Sequence, residues 1–236
     1  MSERDWSENG RSEHVGPEQA LPEQERREEL VAVARRLNAS GLNQGTSGNL
    51  SVRLDGGLLI TPSSLPYEQM EPADLVAIDL HGWPLQDNGR RPSSEWRLHA
   101  DVLAARDDVQ AVLHCHPIHG TALACHDRGI PPFHYMTAVA GGDDIRCAPY
   151  ATFGTAELSA LAVEALEARH ACLLARHGLV SLGTTLDQAL RLAVEVETLA
   201  RMYLQALQLG EPPLLSPDQM RAVHAQFQGL HYGQPD

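Results

Sequence analysis

The spacing of apolar residues along the chain predicts helices that alternate with short strands. Near the start, Leu30, Val33, Ala34 and Leu37 recur at intervals of three and four residues. That period is typical of a helix that buries one face. Gly41 follows as a residue that favours a helix end. The pattern therefore predicts a first helix from about residue 23 to this glycine.

The rest of the chain continues the alternation. We predict further helices over about residues 95–106, 117–127, 155–168, 186–209 and 217–228, and strands over 49–53, 58–61, 75–79, 111–116, 171–175 and 179–182. Residues 135–142 are expected to form a loop or the end of a strand. Helices that alternate with short strands indicate an α/β fold with helices packed on a sheet, rather than a helical bundle. We predict a disordered tail over residues 1–22 and one domain over 23–236.

Composition and charge narrow the possible functions. The net charge of −13 argues against nonspecific nucleic-acid binding. No apolar run approaches the roughly 20 residues needed to cross a bilayer, and the first residues lack the apolar core of a signal peptide. The four cysteines have no CxxC spacing, so we expect no disulfide framework and a cytoplasmic protein. All 18 basic residues are arginine, which excludes a lysine Schiff base and a P-loop.

Histidines at two places are candidate metal ligands. His114 and His116 lie two residues apart in a predicted strand, so their side chains project from the same face, while Cys115 points to the other. His177 follows a second strand, where it could equally cap that strand. Three histidines with one open position are the usual arrangement of catalytic zinc. Glu95, on the first turn of a helix, could be a fourth ligand or a base, or only a favourable charge at the helix dipole.

Three polar stretches are candidate phosphate-binding loops. They run over residues 45–49, 61–64 and 93–94, and they offer hydroxyls, amides and free backbone N–H groups. Such groups can hold a phosphate without a cationic side chain. One such loop alone is weak evidence, because loops are commonly rich in these residues. Together, beside a metal site, they would indicate a phosphorylated substrate.

With these residues in view, the chain strongly resembles the class II aldolase/adducin family over about residues 25–228. The matching stretches are GLNQGTSGN at 41–49, PSSEWR at 92–97, HCH at 114–116, HYM at 134–136, GG at 141–142, CAPYATFGT at 147–155 and HGL at 177–179. The resemblance implies a three-layer fold in which helices flank a central sheet. It also implies a metal-dependent aldolase that cleaves a ketose 1-phosphate to dihydroxyacetone phosphate and an aldehyde, through an enediolate stabilised by the metal.

The resemblance also implies roles for particular residues. His114, His116 and His177 would hold a zinc ion, with manganese as the alternative, and Glu95 would complete the coordination at rest and act as acid/base. Tyr135 would reach into the neighbouring subunit of a fourfold-symmetric tetramer and protonate the aldehyde oxygen. The residues that would bind the substrate phosphate are Thr46, Asn49, Ser63, Ser64, Ser93 and Ser94. Those expected at the aldehyde end are Phe153, Phe227, Leu230 and Tyr232.

Two departures from the family pattern bear on the substrate. Ser64 stands where relatives have a glycine, and Leu230 aligns with a tyrosine of the aldehyde pocket, unless Tyr232 replaces it by a small shift. A leucine there would suit a less polar aldehyde end, such as that of a 5-deoxy or 5-methylthio pentulose 1-phosphate, and the expected substrate is one of these or L-fuculose 1-phosphate. His99 is expected to lie behind the site or in the core.

The alternative functions are an epimerase or dehydratase on the same metal platform and, more remotely, a non-enzymatic adducin-like interaction domain.

Overall fold

The computed structural model of the protein describes residues 22–230. The predicted tail, apart from Pro22, and the candidate residue Tyr232 lie outside this part of the chain. Six α-helices are seen in it: α1 Glu23–Ala39, α2 Trp96–Ala105, α3 Ile118–Ala124, α4 Ala156–Ala165, α5 Leu186–Leu207 and α6 Pro217–Gly229. Its seven strands are β1 Asn49–Leu54, β2 Gly57–Ile60, β3 Val76–Asp79, β4 Ala111–Cys115, β5 Arg146–Ala148, β6 Ala171–Leu174 and β7 Gly178–Gly183.

The seven strands form one mixed sheet in the order β3-β2-β1-β4-β7-β6-β5. All neighbouring pairs are antiparallel except β5 and β6, which are parallel. The strand β4, which carries His114 and ends just before His116, therefore lies at the centre, hydrogen-bonded to β1 on one side and to β7 on the other.

Helices cover both faces of the sheet, because each face carries its own set of apolar side chains. One buried cluster joins α1, α3 and α5 to the sheet and includes Leu30, Leu113 and Leu199. The other joins α2 and α4 to the opposite face and includes Leu103 and Val112. Leu113 and Val112 are consecutive on β4, so the alternation of side chains along a strand supplies one residue to each cluster. The three-layer α/β fold expected from the sequence is confirmed.

The structure differs from the sequence-based elements in two places. Residues Tyr135–Ala140 form a 3-10 helix rather than a loop or strand end, and the three-residue strand β5 was not predicted. Both segments are too short for a periodic pattern to identify them. In addition, β4 ends at Cys115, one residue before His116.

The segment that follows His116 is fixed by a carboxylate on α5. Glu197 accepts hydrogen bonds from the backbone N–H groups of His119 (2.9 Å) and Gly120 (2.8 Å) and from Nδ1 of His119 (2.7 Å). These N–H groups belong to the first turn of α3 and have no partner within that helix. Glu197 therefore attaches the start of α3 to α5.

Replacing Glu197 with glutamine should lower the free energy of unfolding by about 2–3 kcal/mol, because an amide presents one acceptor instead of two and turns a donor toward backbone N–H groups. Chemical denaturation measures this change. Glu195→Gln on the same helix is the control and should change the free energy by less than about 0.5 kcal/mol. Equal effects of the two substitutions would contradict the role given to Glu197.

The described helices include none that is both long and apolar enough to span a membrane.

Candidate active site

Three histidines converge at the centre of the sheet. His114 lies within β4, His116 follows the end of that strand, and His177 lies in the turn between β6 and β7. Because β4 and β7 are adjacent and antiparallel, this turn brings His177 to the end of β4 where His116 leaves the sheet. The Nε2 atoms of His114 and His116 are 3.0 Å apart. The three histidines each offer a ligand atom within 4.8 Å of the others.

A backbone hydrogen bond orients His114 within this cluster. Its Nδ1 donates to the carbonyl oxygen of Leu179 on β7 at 2.9 Å, and the side chain is fully buried. With Nδ1 bonded to this carbonyl, the ring presents Nε2 to the other histidines. A second partner of this kind is a common feature of metal-binding histidines.

The carboxylate of Glu95 lies against the three rings, at the residue that precedes α2. Its Oε2 is 3.3 Å from Nε2 of His114, and its Oε1 is 3.4 Å from Nε2 of His177. Oε2 accepts a hydrogen bond of 3.0 Å from Nδ2 of Asn49. Oε1 is buried and has no hydrogen-bond partner. A buried carboxylate oxygen without a donor is costly, and a cation between Oε1 and the histidines would remove that cost.

The protonation states at the site favour a cation. Burial, and then the proximity of His114, lowers the pKa of His177 to about 4, and burial together with His114 and His177 lowers the pKa of His116 to about 4. Burial opposes ionisation of Glu95, but its contacts with His114, and then with His177 and Asn49, hold its pKa below the usual range. Neutral imidazoles and an ionised carboxylate are the ligand forms that a divalent metal binds. The donor set therefore fits such an ion.

Gly178 gives the histidine rings their space. A Cβ atom on this residue would lie 2.5 Å from the carbonyl oxygen of Cys115, 2.6 Å from Cδ2 of His116 and 3.2 Å from Cε1 of His114. The residue after the third histidine is thus limited to glycine by close approach of the rings. In the sequence, Gly178 stood out only as part of the HGL stretch at 177–179.

Behind Glu95, three further polar residues form a buried hydrogen-bonded chain. Oδ1 of Asn49 bonds to Nε2 of His99 at 2.5 Å, and Nδ1 of His99 bonds to Oγ of Ser51 at 2.7 Å. Burial lowers the pKa of His99 to about 3, so its ring is neutral. His99 thus lies behind the site, as expected, whereas Ser51 was not singled out from the sequence. The sequence signal for Ser51 was a polar side chain within the strand predicted over residues 49–53.

The candidate phosphate-binding stretches come together next to Glu95. The backbone N–H of Ser93 donates to the Thr61 carbonyl (3.1 Å), and that of Ser63 donates to the Arg91 carbonyl (2.9 Å). Thr61 Oγ1 accepts from the backbone N–H of Leu50, the neighbour of Asn49. Thr46, Ser63, Ser64 and Ser94 are exposed, whereas Asn49 and Ser93 are buried. Asn49 differs from the others because its amide is already bonded to Glu95 and His99.

Ser64 adopts a backbone conformation that glycine accommodates more easily. Its φ of +60° lies in the left-handed region, where side chains other than those of glycine, asparagine and aspartate are uncommon. Its hydroxyl lies 3.4 Å from that of Ser63. The chain therefore keeps a turn suited to glycine while adding a hydroxyl to this loop.

Tyr135 and the described residues predicted for the aldehyde end are half-buried or exposed. The rings of Tyr135 and Phe227 meet edge to face with centroids 6.4 Å apart, where the 3-10 helix packs on α6. Tyr135, Phe153 and Leu230 are 49%, 63% and 62% exposed. Gly154 packs against the Ser94 carbonyl, which places Phe153 beside a phosphate-binding stretch. Among the described residues, no ring contact or hydrogen bond joins Tyr135 to the three histidines.

Comparisons with known proteins agree with this architecture. The family described as "Class II Aldolase and Adducin N-terminal domain" matches residues 28–204. The chain is 54% identical over 199 residues to 5-methylthioribulose-1-phosphate/5-deoxyribulose-1-phosphate aldolase of Rhodospirillum rubrum, covering 84% of this chain and 89% of that protein. It is 46% identical over 200 residues to L-fuculose phosphate aldolase of Escherichia coli K12, covering 84% and 92%.

A solved structure extends the comparison to the fold. An L-fuculose 1-phosphate aldolase superposes with a TM-score of 0.83 at 38% identity, covering 86% of this chain and 96% of that one. The resemblance, the fold and the aldolase class expected from the sequence are confirmed. The chain belongs to the class II aldolase and adducin N-terminal domain family.

Proposed function

We propose that the protein cleaves a 5-deoxy or 5-methylthio pentulose 1-phosphate reversibly to dihydroxyacetone phosphate and an aldehyde. The observation that carries this proposal is the cluster of three histidine nitrogens within 4.8 Å of one another, with the Glu95 carboxylate 3.3 Å from His114 and 3.4 Å from His177 and its Oε1 without a hydrogen-bond partner. The apolar Leu230 and the similarity to an aldolase named for these substrates favour them over L-fuculose 1-phosphate.

His114, His116, His177 and Glu95 would hold the metal, most simply Zn²⁺, with Mn²⁺ as the alternative. A divalent cation supplies electrostatic stabilisation of the negative charge that develops on substrate oxygens when the carbon–carbon bond breaks. The absence of lysine agrees with this route, because an imine cannot form on this chain.

Glu95 would transfer the proton at the reacting carbon. In cleavage it gives a proton to the carbon that has lost the aldehyde, and in synthesis it removes that proton. Its Oε2 is held by Asn49, while Oε1 has no hydrogen bond, so one oxygen is available for this transfer. Proton transfer by a positioned carboxylate is a common source of rate enhancement.

The substrate phosphate would be held by exposed hydroxyls and backbone N–H groups. Thr46, Ser63, Ser64 and Ser94 are exposed and would present such groups to the phosphate, and the buried Ser93 and Asn49 would contribute next to Glu95. Such neutral donors can hold a phosphate without a lysine side chain, and the chain contains no lysine.

The contact between the exposed Tyr135 and the half-buried Phe227 fits a shared site in an oligomer. We propose a fourfold-symmetric tetramer in the cytoplasm, in which Tyr135 enters the neighbouring subunit's site and handles the proton of the aldehyde oxygen. Phe153, Phe227, Leu230 and, outside the described residues, Tyr232 would contact the aldehyde end. The exposure of Tyr135, Phe153 and Leu230 supports this arrangement.

A substrate panel tests the proposed function. Dihydroxyacetone phosphate release is measured from 5-methylthioribulose 1-phosphate, 5-deoxyribulose 1-phosphate and L-fuculose 1-phosphate, with ribulose 5-phosphate as the substrate of an epimerase. We expect release to be fastest from the first two, to stop with a chelator and to return with Zn²⁺ or Mn²⁺. Faster release from L-fuculose 1-phosphate would overturn the substrate assignment, and conversion of ribulose 5-phosphate alone would indicate an epimerase.

Tyr135→Phe should lower kcat for cleavage by about 10- to 100-fold, since one proton donor among several catalytic groups is lost. The ring contact with Phe227 remains, so KM for the substrate should change little. Steady-state kinetics on the fastest substrate of the panel measures both constants. Tyr150→Phe is the control, because Tyr150 is an exposed tyrosine assigned no role; equal losses in the two variants would contradict the role of Tyr135.

A further inference from the structure

The buried chain behind Glu95 arises where a strand and a helix present matched pairs of residues. Asn49 and Ser51 are two residues apart on β1 and therefore project from one face of the sheet. Glu95 immediately precedes α2 and His99 lies four residues later in that helix, so the two side chains project on the same side. The two pairs meet, so that Asn49 contacts both Glu95 and His99, and Ser51 contacts His99.

The carboxylate fixes the direction of every hydrogen bond in this chain. An ionised carboxylate only accepts, so Asn49 must turn its NH₂ group to Glu95 and its carbonyl oxygen to His99. That oxygen also only accepts, so Nε2 of His99 must carry the ring proton. Nδ1 of the neutral ring is then an acceptor, and Ser51 must donate its hydroxyl proton to it. Each donor therefore points toward Glu95.

Burial makes this arrangement difficult to replace. Ser51 and His99 are fully buried, Asn49 is 3% exposed and Glu95 is 6% exposed. A buried polar group cannot form a hydrogen bond with water instead, so breaking one bond of the chain leaves both of its members without a partner. The bond from His99 to Oδ1 of Asn49, on the side away from Glu95, consequently keeps the Asn49 amide from rotating.

We propose that Ser51 and His99 are positioning residues for the aldolase reaction, which hold the Asn49 amide so that it binds one oxygen of Glu95 and leaves the other oxygen to the metal and to the transferred proton. This inference rests on the proposed function. Ser51 and His99 touch neither the histidine cluster nor the exposed phosphate-binding hydroxyls through any hydrogen bond found in the described residues, so they act only through Asn49 and Glu95.

The first test compares two buried serines. Ser51→Ala removes the last donor of the chain. Ser181→Ala is the matched control, because Ser181 on β7 is equally buried and its hydroxyl donates a single 2.9 Å bond to the Ala189 carbonyl, outside the site. We expect kcat to fall about 10-fold or more for Ser51→Ala, as for residues that orient a metal site. KM and metal content should stay unchanged, and Ser181→Ala should keep the wild-type kcat.

The second test replaces His99 itself. His99→Phe fills the space of the ring but removes the Nε2 donor, and His99→Gln retains an amide N–H that can reach Oδ1 of Asn49. We expect a loss in kcat of roughly 100-fold for the first variant and recovery to within about 5-fold of wild type for the second. A merely space-filling role predicts the reverse order, since phenylalanine is nearer to histidine in shape.

Proton transfer is measured separately from cleavage by following deuterium incorporation into dihydroxyacetone phosphate in D₂O, without aldehyde, by NMR. In Ser51→Ala and His99→Phe the exchange rate per bound metal ion should fall by the same factor as kcat. Wild-type exchange rates in both variants would overturn the inference, as would an equal loss in Ser181→Ala. Wild-type protein that binds metal but neither exchanges deuterium nor cleaves any panel substrate would instead overturn the proposed function.

Discussion

Replacing Glu95 with glutamine is expected to lower kcat for cleavage by about 10³-fold, within the range that a general acid–base residue contributes. Glutamine has nearly the same shape, and its amide oxygen can accept the bond that Asn49 now donates to Oε2. The fold should therefore be retained. What is lost is the ionised oxygen, Oε1, which has no hydrogen-bond partner and which we assign to the proton at the reacting carbon.

The measurement combines steady-state kinetics with the metal content of the purified protein. Three histidines remain in Glu95→Gln, so most of the metal should still bind. Asp101→Asn is a control on the same helix, because Asp101 is partly exposed and bonds to Ser159 and Arg97, away from the histidines. Near-normal turnover in Glu95→Gln with metal bound would remove Glu95 from its assigned role.

Adding one methyl group at Gly178 should disrupt the proposed metal site. The new Cβ would lie 2.5 Å from a backbone oxygen of β4 and 2.6 Å from the ring of His116, closer than atoms can approach. That oxygen belongs to Cys115, which is paired with Leu179 in the β4–β7 ladder, so it cannot retreat easily. We therefore expect the His116 ring to move, metal affinity to fall about 10- to 100-fold, and the unfolding free energy to fall by about 1–3 kcal/mol.

Metal affinity of Gly178→Ala is measured by titration of the metal-free protein, and stability by denaturation in the presence of a chelator. The matched control is Gly229→Ala on α6, where a Cβ meets nothing within 4 Å. The control should leave both quantities close to wild type. Unchanged metal affinity in Gly178→Ala would show that the histidine rings can adapt, and would contradict the tight packing derived from their distances.

The sequence predicted those parts of the site that depend on local periodicity. Strand alternation places His114 and His116 on one side, and the structure brings their Nε2 atoms to 3.0 Å. The helices of the outer layers were predicted from the spacing of their apolar residues, as in α1. In contrast, β5 and the 3-10 helix at Tyr135–Ala140 have too few residues for a period to show.

Features that depend on contacts between residues far apart in the sequence could not be derived from the sequence pattern alone. That Ser51 meets His99, 48 positions away, depends on how β1 is aligned with α2, and a pattern along one segment does not contain this alignment. The requirement for glycine at position 178 likewise depends on the separation between two strands. Resemblance to the family supplied the grouping of the histidines with Glu95, but not the residues that support them.

The central place of β4 has a consequence for how substrate preference can diverge. The histidines and Glu95 are anchored to the middle of a seven-stranded sheet, where a substitution disturbs several neighbours at once. Tyr135, Phe227 and Leu230 lie outside the sheet, and their side chains are half-buried or exposed. In the proposed site, such residues can be exchanged without altering the histidines and Glu95, which is consistent with one scaffold serving relatives named for different sugar phosphates.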